Sequence, residues 1–226
     1  MTSARLFRAT GLAAIIAGVL FVVIQPIHPD DTLASVTSSS WAIVHYATLL
    51  MTTLFLVGIV GIYAAQHQEA GWLGLVGVIV LTLGLLLTAM FVFVEATIEP
   101  LLVDTNPGLV EDLLAVVDGR GSEGDLGPLA LLWSASGLFF LLGCITFGFA
   151  MFRVGLVSRW ASALFGFGLP AAAIVTALLP YDVHRLGAMP IGVGLAGMGY
   201  SLWRGQGASD SDDFGQTRAP ALPSAG

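Results

Sequence analysis

The chain has 226 residues, of which 56% are hydrophobic and only 10% are charged, and its formal net charge is −7. Soluble domains carry about 25% charged residues, so this chain lacks the polar residues to cover a water-facing surface, and we expect the lipid bilayer as its partner. The acidic balance argues against nucleic acid and against anionic lipid headgroups as main partners.

Six apolar runs are long enough to cross a bilayer, for which a helix needs about 20 mostly apolar residues. They predict an all-α fold, a six-helix transmembrane bundle that forms a single domain over residues 1–204. The runs, in chain order, are Thr10–Ile27, Trp41–Ala65, Trp72–Thr97, Pro128–Phe152, Trp160–Leu179 and Leu186–Trp203.

The first run follows two arginines, Arg5 and Arg8, as the apolar part of a signal peptide would. The segment Gln25-Pro26-Ile27-His28 is a poor small-x-small cleavage site. We therefore expect the first segment to be retained as an anchor.

The arginines predict how the segments are oriented, since loops on the cytoplasmic side are enriched in basic residues. Placing the N-terminus inside leaves only Arg120 and Arg185 in outer loops. We predict a protein of the cell membrane with both termini in the cytoplasm. The inner arginines would then be Arg5, Arg8, Arg153, Arg159, Arg204 and Arg218.

The longest loop, about residues 98–127, lies between the third and fourth segments and contains its own helix pattern. Asn106 is a good N-cap, Pro107 suits the first helical position and Gly119 suits the stop. Because the apolar residues between them share one face, we predict a short amphipathic helix in this outer loop. The tail at 205–226 is rich in Gly, Ser, Asp, Ala and Pro, which predicts a disordered cytoplasmic segment.

Polar side chains within or beside the segments gather at the predicted outer side, and a polar group in a bilayer needs a reason. His28, His45, Glu95 and Glu99 form the candidate polar pocket. We expect Asp182 and His184 at its rim.

His45 and Glu95 are the most specific of these, since they belong to consecutive segments joined by a turn near Gln68. Both residues lie about 25 positions from that turn, so at about 1.5 Å per residue they reach similar depth. The pair has three interpretations. It could be a structural or solvated contact between helices, a protonatable or ligand-binding site, or a metal site completed by His28 or Glu99.

We expect no metal and no cofactor. The sequence has no HExxH motif and no two histidines four residues apart, and the lone Cys144 gives no ligand spacing. It also contains no phosphate loop, dinucleotide fingerprint or nucleophile elbow.

Two segments resemble the intramembrane serine proteases of the rhomboid family. Ser134-Ala-Ser136-Gly137 is similar to that family's G-x-S-G motif, and His184 opens the sixth segment. The resemblance implies Ser136 as nucleophile and His184 as base. The chain departs from the family at Ser134, which replaces a glycine, and at Leu49, where the family has asparagine.

The stretch from Trp41 to Pro100 resembles a group of small uncharacterised multi-pass microbial membrane proteins. The resemblance lies in His45-Tyr46, the Gly58–Tyr63 helix end, Gly71-Trp-Leu-Gly74, Glu95 and Pro100. It implies a shared architecture and assigns no chemistry.

These patterns favour a non-enzymatic protein with an outward-facing polar pocket, in a sensory, accessory or small-solute role, with a small solute or a partner protein as its ligand. A nearly apolar midplane argues against transport, which needs polar groups or broken helices there. The alternative is an outer-face enzyme or metal-binding protein that uses His/Glu or Ser136/His184 chemistry.

Overall fold

The computed structural model describes residues 2–176 and 181–216, and within these ranges the chain is helical and contains no strand. The predicted all-α class is therefore confirmed. The helices are α1 (Ser3–Ile27), α2 (Leu33–Val36), α3 (Ser39–Ala64), α4 (His67–Thr97), α5 (Glu99–Leu102), α6 (Pro107–Val117), α7 (Leu129–Val154), α8 (Arg159–Thr176) and α9 (Met189–Gln216), with a 3₁₀ helix at Tyr181–Ala188.

Four helical stretches in the described residues are long and apolar enough to cross a membrane: α1, α3, α4 together with α5, and α7. They make the chain a helical protein suited to a lipid bilayer. The predicted fifth and sixth segments, in α8 and α9, are not among the four. The later part of α9 carries polar residues such as Arg204 and Gln206, which lower its hydropathy. Residues 177–180 and 217–226 lie outside the described part, and the disordered tail stays a prediction.

The long helices contact one another in the order α1, α3, α4, α7, α8, α9 and back to α1. A cluster of phenylalanines fills the space between them. The Phe55 ring of α3 is fully buried and lies 6.4 Å from Phe21, 6.1 Å from Phe140 and 5.9 Å from Phe165, which belong to three other helices. Aromatic rings from four helices therefore meet around Phe55 in the middle of the array.

Glycines allow the backbones of α1 and α9 to touch. A Cβ atom on Gly11 would lie 2.8 Å from the carbonyl oxygen of Gly199, and one on Gly18 would collide with that of Gly192. The two contacts run in opposite chain directions, so the helices are antiparallel. Such close approach is how helices gain packing energy in lipid, where no hydrophobic force joins them.

Three short helices cover one end of the array, which we call the capped end: α2, α5 and α6. Val110 and Leu114 of α6 pack with Val36 of α2 against Trp41 of α3. The Asn106 side chain accepts a hydrogen bond from the Leu109 N–H at 3.4 Å and so caps α6. At the opposite end, the Arg8 guanidinium lies 5.9 Å from the Trp203 ring, which places the starts of α1 and the later part of α9 together.

We expect Gly18→Ala to lower the thermal stability of the purified protein, because the new methyl group must push α1 away from α9. Overpacking of this kind costs about 1–3 kcal/mol. Gly137→Ala is the matched control, since a Cβ there meets nothing within 4 Å. Equal melting shifts for the two variants would contradict the close α1–α9 contact.

Candidate functional site

His45 of α3 and Glu95 of α4 lie side by side at the capped end. His45 Nε2 is 3.6 Å from Glu95 Oε2, and the two side chains are 2% and 7% exposed. This separation is that of an ion pair but is too long for a direct hydrogen bond. The sequence predicts that these two residues lie at similar depth, and the structure places them next to each other.

Trp41 fixes both members of this pair. Its indole N–H donates to the main-chain oxygen of Glu95 at 2.8 Å, which ties α3 to α4. One turn along α3, the Nδ1 atom of His45 lies 2.8 Å from the main-chain oxygen of Trp41, and the two rings are 4.0 Å apart. The start of α3 is set by Ser38, whose hydroxyl accepts from the Trp41 N–H.

The hydrogen bond to Trp41 determines the tautomer of His45. A carbonyl oxygen can only accept, so Nδ1 must carry the hydrogen. In the neutral ring, Nε2 is then a bare acceptor that faces the Glu95 carboxylate. Within the described residues, Nε2 has no hydrogen-bond partner in the protein.

His28 follows directly after α1 and joins the same aromatic group, with its ring 5.2 Å from that of His45. Its Nδ1 atom lies 2.8 Å from the main-chain oxygen of Pro29, so it donates in the same way. Burial lowers the pKa of His28 to about 4, and the nearby charge of Arg185 adds to the effect. The ring is therefore neutral at pH 7.

Asp31 and Arg185 form an ion pair between the α1–α2 connection and the 3₁₀ helix. The Asp31 side chain is 4% exposed, and its Oδ1 atom has no hydrogen-bond partner in the described part of the chain. Burial raises the pKa of Asp31, and the Arg185 guanidinium opposes that shift.

Two adjoining cavities open among these residues. The larger, of about 950 Å³, lies over the α1–α2 connection and α6, where Asp31 and Glu111 line it. The smaller, of about 210 Å³, reaches His45 and Glu95, and we call it the inner chamber. His28, Asp118 and Arg185 line both, so the inner chamber continues from the larger cavity.

The remaining residues that the sequence predicts for the site lie elsewhere or outside the described part. Glu99 is 1% exposed at the start of α5 and is not among the described residues that line either cavity. The side chains of Asp182 and His184 lie outside the described part, so their place at the rim stays a prediction. Ser136 is buried in α7, where its hydroxyl donates to the main-chain oxygen of Trp133 at 2.7 Å.

Sequence reasoning missed Trp41, Asp31 and Arg185 as members of the site. Trp41 could have been found, because it precedes His45 by four residues and therefore shares its helix face. The Asp31–Arg185 pair joins residues 154 positions apart, for which the sequence carries no periodic signal.

A metal centre finds no support in the described residues, since no three His, Cys, Asp or Glu side chains there are grouped so that they could hold an ion. Three ion pairs of the described residues line the cavities instead: His45 with Glu95, Arg185 with Asp31, and Arg120 with Asp118.

Trp41→Phe should destabilise the protein by about 1–3 kcal/mol, because the main-chain oxygen of Glu95 would remain buried without its donor. Trp160→Phe is the control, since Trp160 is 87% exposed. The measurement is the free energy of unfolding in detergent. A Trp41 variant as stable as the Trp160 variant would show that the indole hydrogen bond does not hold α3 to α4.

No protein-family model, curated protein or solved structure matches the chain. The resemblances to the small microbial membrane proteins and to the rhomboid family stay predictions. The proposed chemistry of the site therefore rests on the side chains of this chain alone.

Proposed function

We propose that the chain is a six-span protein of the cell membrane, with both termini in the cytoplasm, and that the cavity at its capped end is an outward-facing binding site for a small polar solute. α6 then lies over the outer end of the array as a short amphipathic helix. The solute site serves a sensory or accessory role.

The spanning role of α8 and α9 is supported by their packing. A Cβ atom on Gly166 of α8 would lie 3.2 Å from Gly148 of α7, and one on Gly194 of α9 would lie 2.5 Å from the Phe165 backbone. Both helices thus use the small-residue contacts that link α1 to α9. The arginine distribution supports the orientation, because six of the eight lie on the side assigned to the cytoplasm.

Reporter fusions test the topology directly. A reporter inserted after Gly119 should be extracytoplasmic, and one at the C-terminus should be cytoplasmic, because an odd number of spans separates them. Reporters found on the same side of the membrane would overturn the six-span arrangement.

The observation that carries the binding proposal is a buried acceptor in the wall of the inner chamber, His45 Nε2, which has no hydrogen-bond partner among the described residues. A buried polar atom left unpaired costs about 1–3 kcal/mol, so water or a ligand is needed to satisfy it. Asp31 Oδ1, in the wall of the larger cavity, is also buried without a hydrogen-bond partner in the described part of the chain. The larger cavity, at about 950 Å³, is of a size that suits a small solute, since ligand pockets occupy about 300–1,000 Å³.

Binding is favoured over transport and over catalysis for two separate reasons. The phenylalanine cluster around Phe55 fills the middle of the array, where a transporter places its polar groups. The Ser136 hydroxyl donates within its own helix and is not among the residues that line the two cavities in the described part of the chain. Binding of a soluble ligand at the outer face requires neither a polar pathway through the bilayer nor a nucleophilic side chain.

Filling the inner chamber tests the proposed function. The purified protein should be stabilised against heat by at least one class in a panel of small amines, carboxylates, alcohols and sugars, since a ligand that binds the folded state raises its stability. Thr48→Phe, which fills the chamber, should abolish that stabilisation. Thr53→Phe is the matched control, because Thr53 has the same hydrogen bond to its helix but is exposed. A panel without effect, or equal effects in both variants, would contradict the proposal.

A further inference from the structure

This inference rests on the proposed solute site: we propose that the solute is a small organic ammonium ion, which lies beside His45 and Glu95 in the inner chamber and donates N–H groups to both. His45 Nε2 and Glu95 Oε2 are 3.6 Å apart, and Nε2 has no hydrogen-bond partner among the described residues.

The base of the chamber offers hydrogen-bond acceptors. His45 Nε2 accepts because Nδ1 holds the hydrogen on Trp41. The Thr48 hydroxyl donates its hydrogen to the main-chain oxygen of Val44 at 2.9 Å, so towards a solute it can act only as an acceptor. An ionised Glu95 carboxylate has no hydrogen to give. A solute that fits these three groups must itself be a donor.

The 3.6 Å separation sharpens this requirement. Two acceptors that face each other repel unless a donor stands close to both, and neither side chain can supply one while His45 is neutral and Glu95 ionised. A primary ammonium carries three N–H groups and can donate to both side chains at once. An alcohol has a single hydrogen and satisfies only one of them.

The surrounding charges also favour a cation. Arg185 is paired with Asp31, and Arg120 Nε donates to Asp118 at 2.7 Å, so each of these arginines already faces a carboxylate. Glu95 has the neutral His45 ring as its neighbour. A buried carboxylate is stabilised by a paired and hydrogen-bonded positive charge.

The remaining wall of the chamber fits the carbon part of such an ion. Val92, Val117 and Trp133 line it together with the polar residues. A volume of about 210 Å³ holds a few carbon atoms beside the ammonium group. A short alkylammonium therefore matches the chamber in charge, hydrogen bonding and size.

The test is calorimetric titration of the full chain in lipid nanodiscs at pH 7 with four probes of similar size. Propylammonium should bind, whereas 1-propanol, propionate and tetramethylammonium should bind at least about thirtyfold more weakly, as expected when a partner of a buried charge is missing. Tetramethylammonium isolates the N–H groups, because it carries the charge without them. Propanol or propionate binding as tightly as propylammonium would overturn the ammonium proposal and leave the solute site standing.

Two isosteric variants locate the site. Glu95→Gln should weaken propylammonium binding by at least about thirtyfold, and Glu69→Gln, at the exposed opposite end of α4, should leave it unchanged. Equal binding by the Glu95 variant would overturn the proposal. If that variant does not fold, the four probes on the unaltered protein still decide. If none of them binds and the solute panel above has also failed, the solute site itself is wrong.

Discussion

The hydrogen bond from the Trp41 indole to the main-chain oxygen of Glu95 is the contact on which the capped end depends. It sets the height of α3 against α4 and so places the Glu95 side chain opposite His45. The same tryptophan accepts from His45 Nδ1, which fixes the ring so that its bare nitrogen faces the carboxylate. It is fully buried under Val36, Val110 and Leu114, so the short helices pack on the residue that orders the site.

The packing below the site explains why it lies at one end. Backbone contacts at glycine, such as Gly18 against Gly192, draw the long helices together, and phenylalanines fill the space that remains. Charged side chains there would lose their hydration, and the described ones that line the two cavities lie at the capped end. The Asp31–Arg185 pair links the α1–α2 connection to the 3₁₀ helix. Both residues line the larger cavity, and Arg185 also lines the inner chamber.

The sequence predicted much of the fold because hydrophobic length is a strong signal in a membrane helix. The limits of α3 and α7 agree with the predicted segments to within a few residues. Counting residues from the short turn between α3 and α4 predicts similar depth for His45 and Glu95, because the two helices are consecutive and antiparallel. It could not show that Trp41 orders them, nor that Asp31 meets Arg185, since those contacts depend on how helices rotate and on connections without periodicity.

The proposed site requires a donor from outside the protein beside His45 Nε2 and Glu95. A high-resolution experimental structure in nanodiscs, determined with and without propylammonium, would show whether such a donor is present. We expect density within hydrogen-bond distance of both Nε2 and the carboxylate in both maps, from ordered water in one and from the ammonium in the other. A direct hydrogen bond between the two side chains with no density beside them, or a Glu95 side chain turned towards lipid, would contradict it.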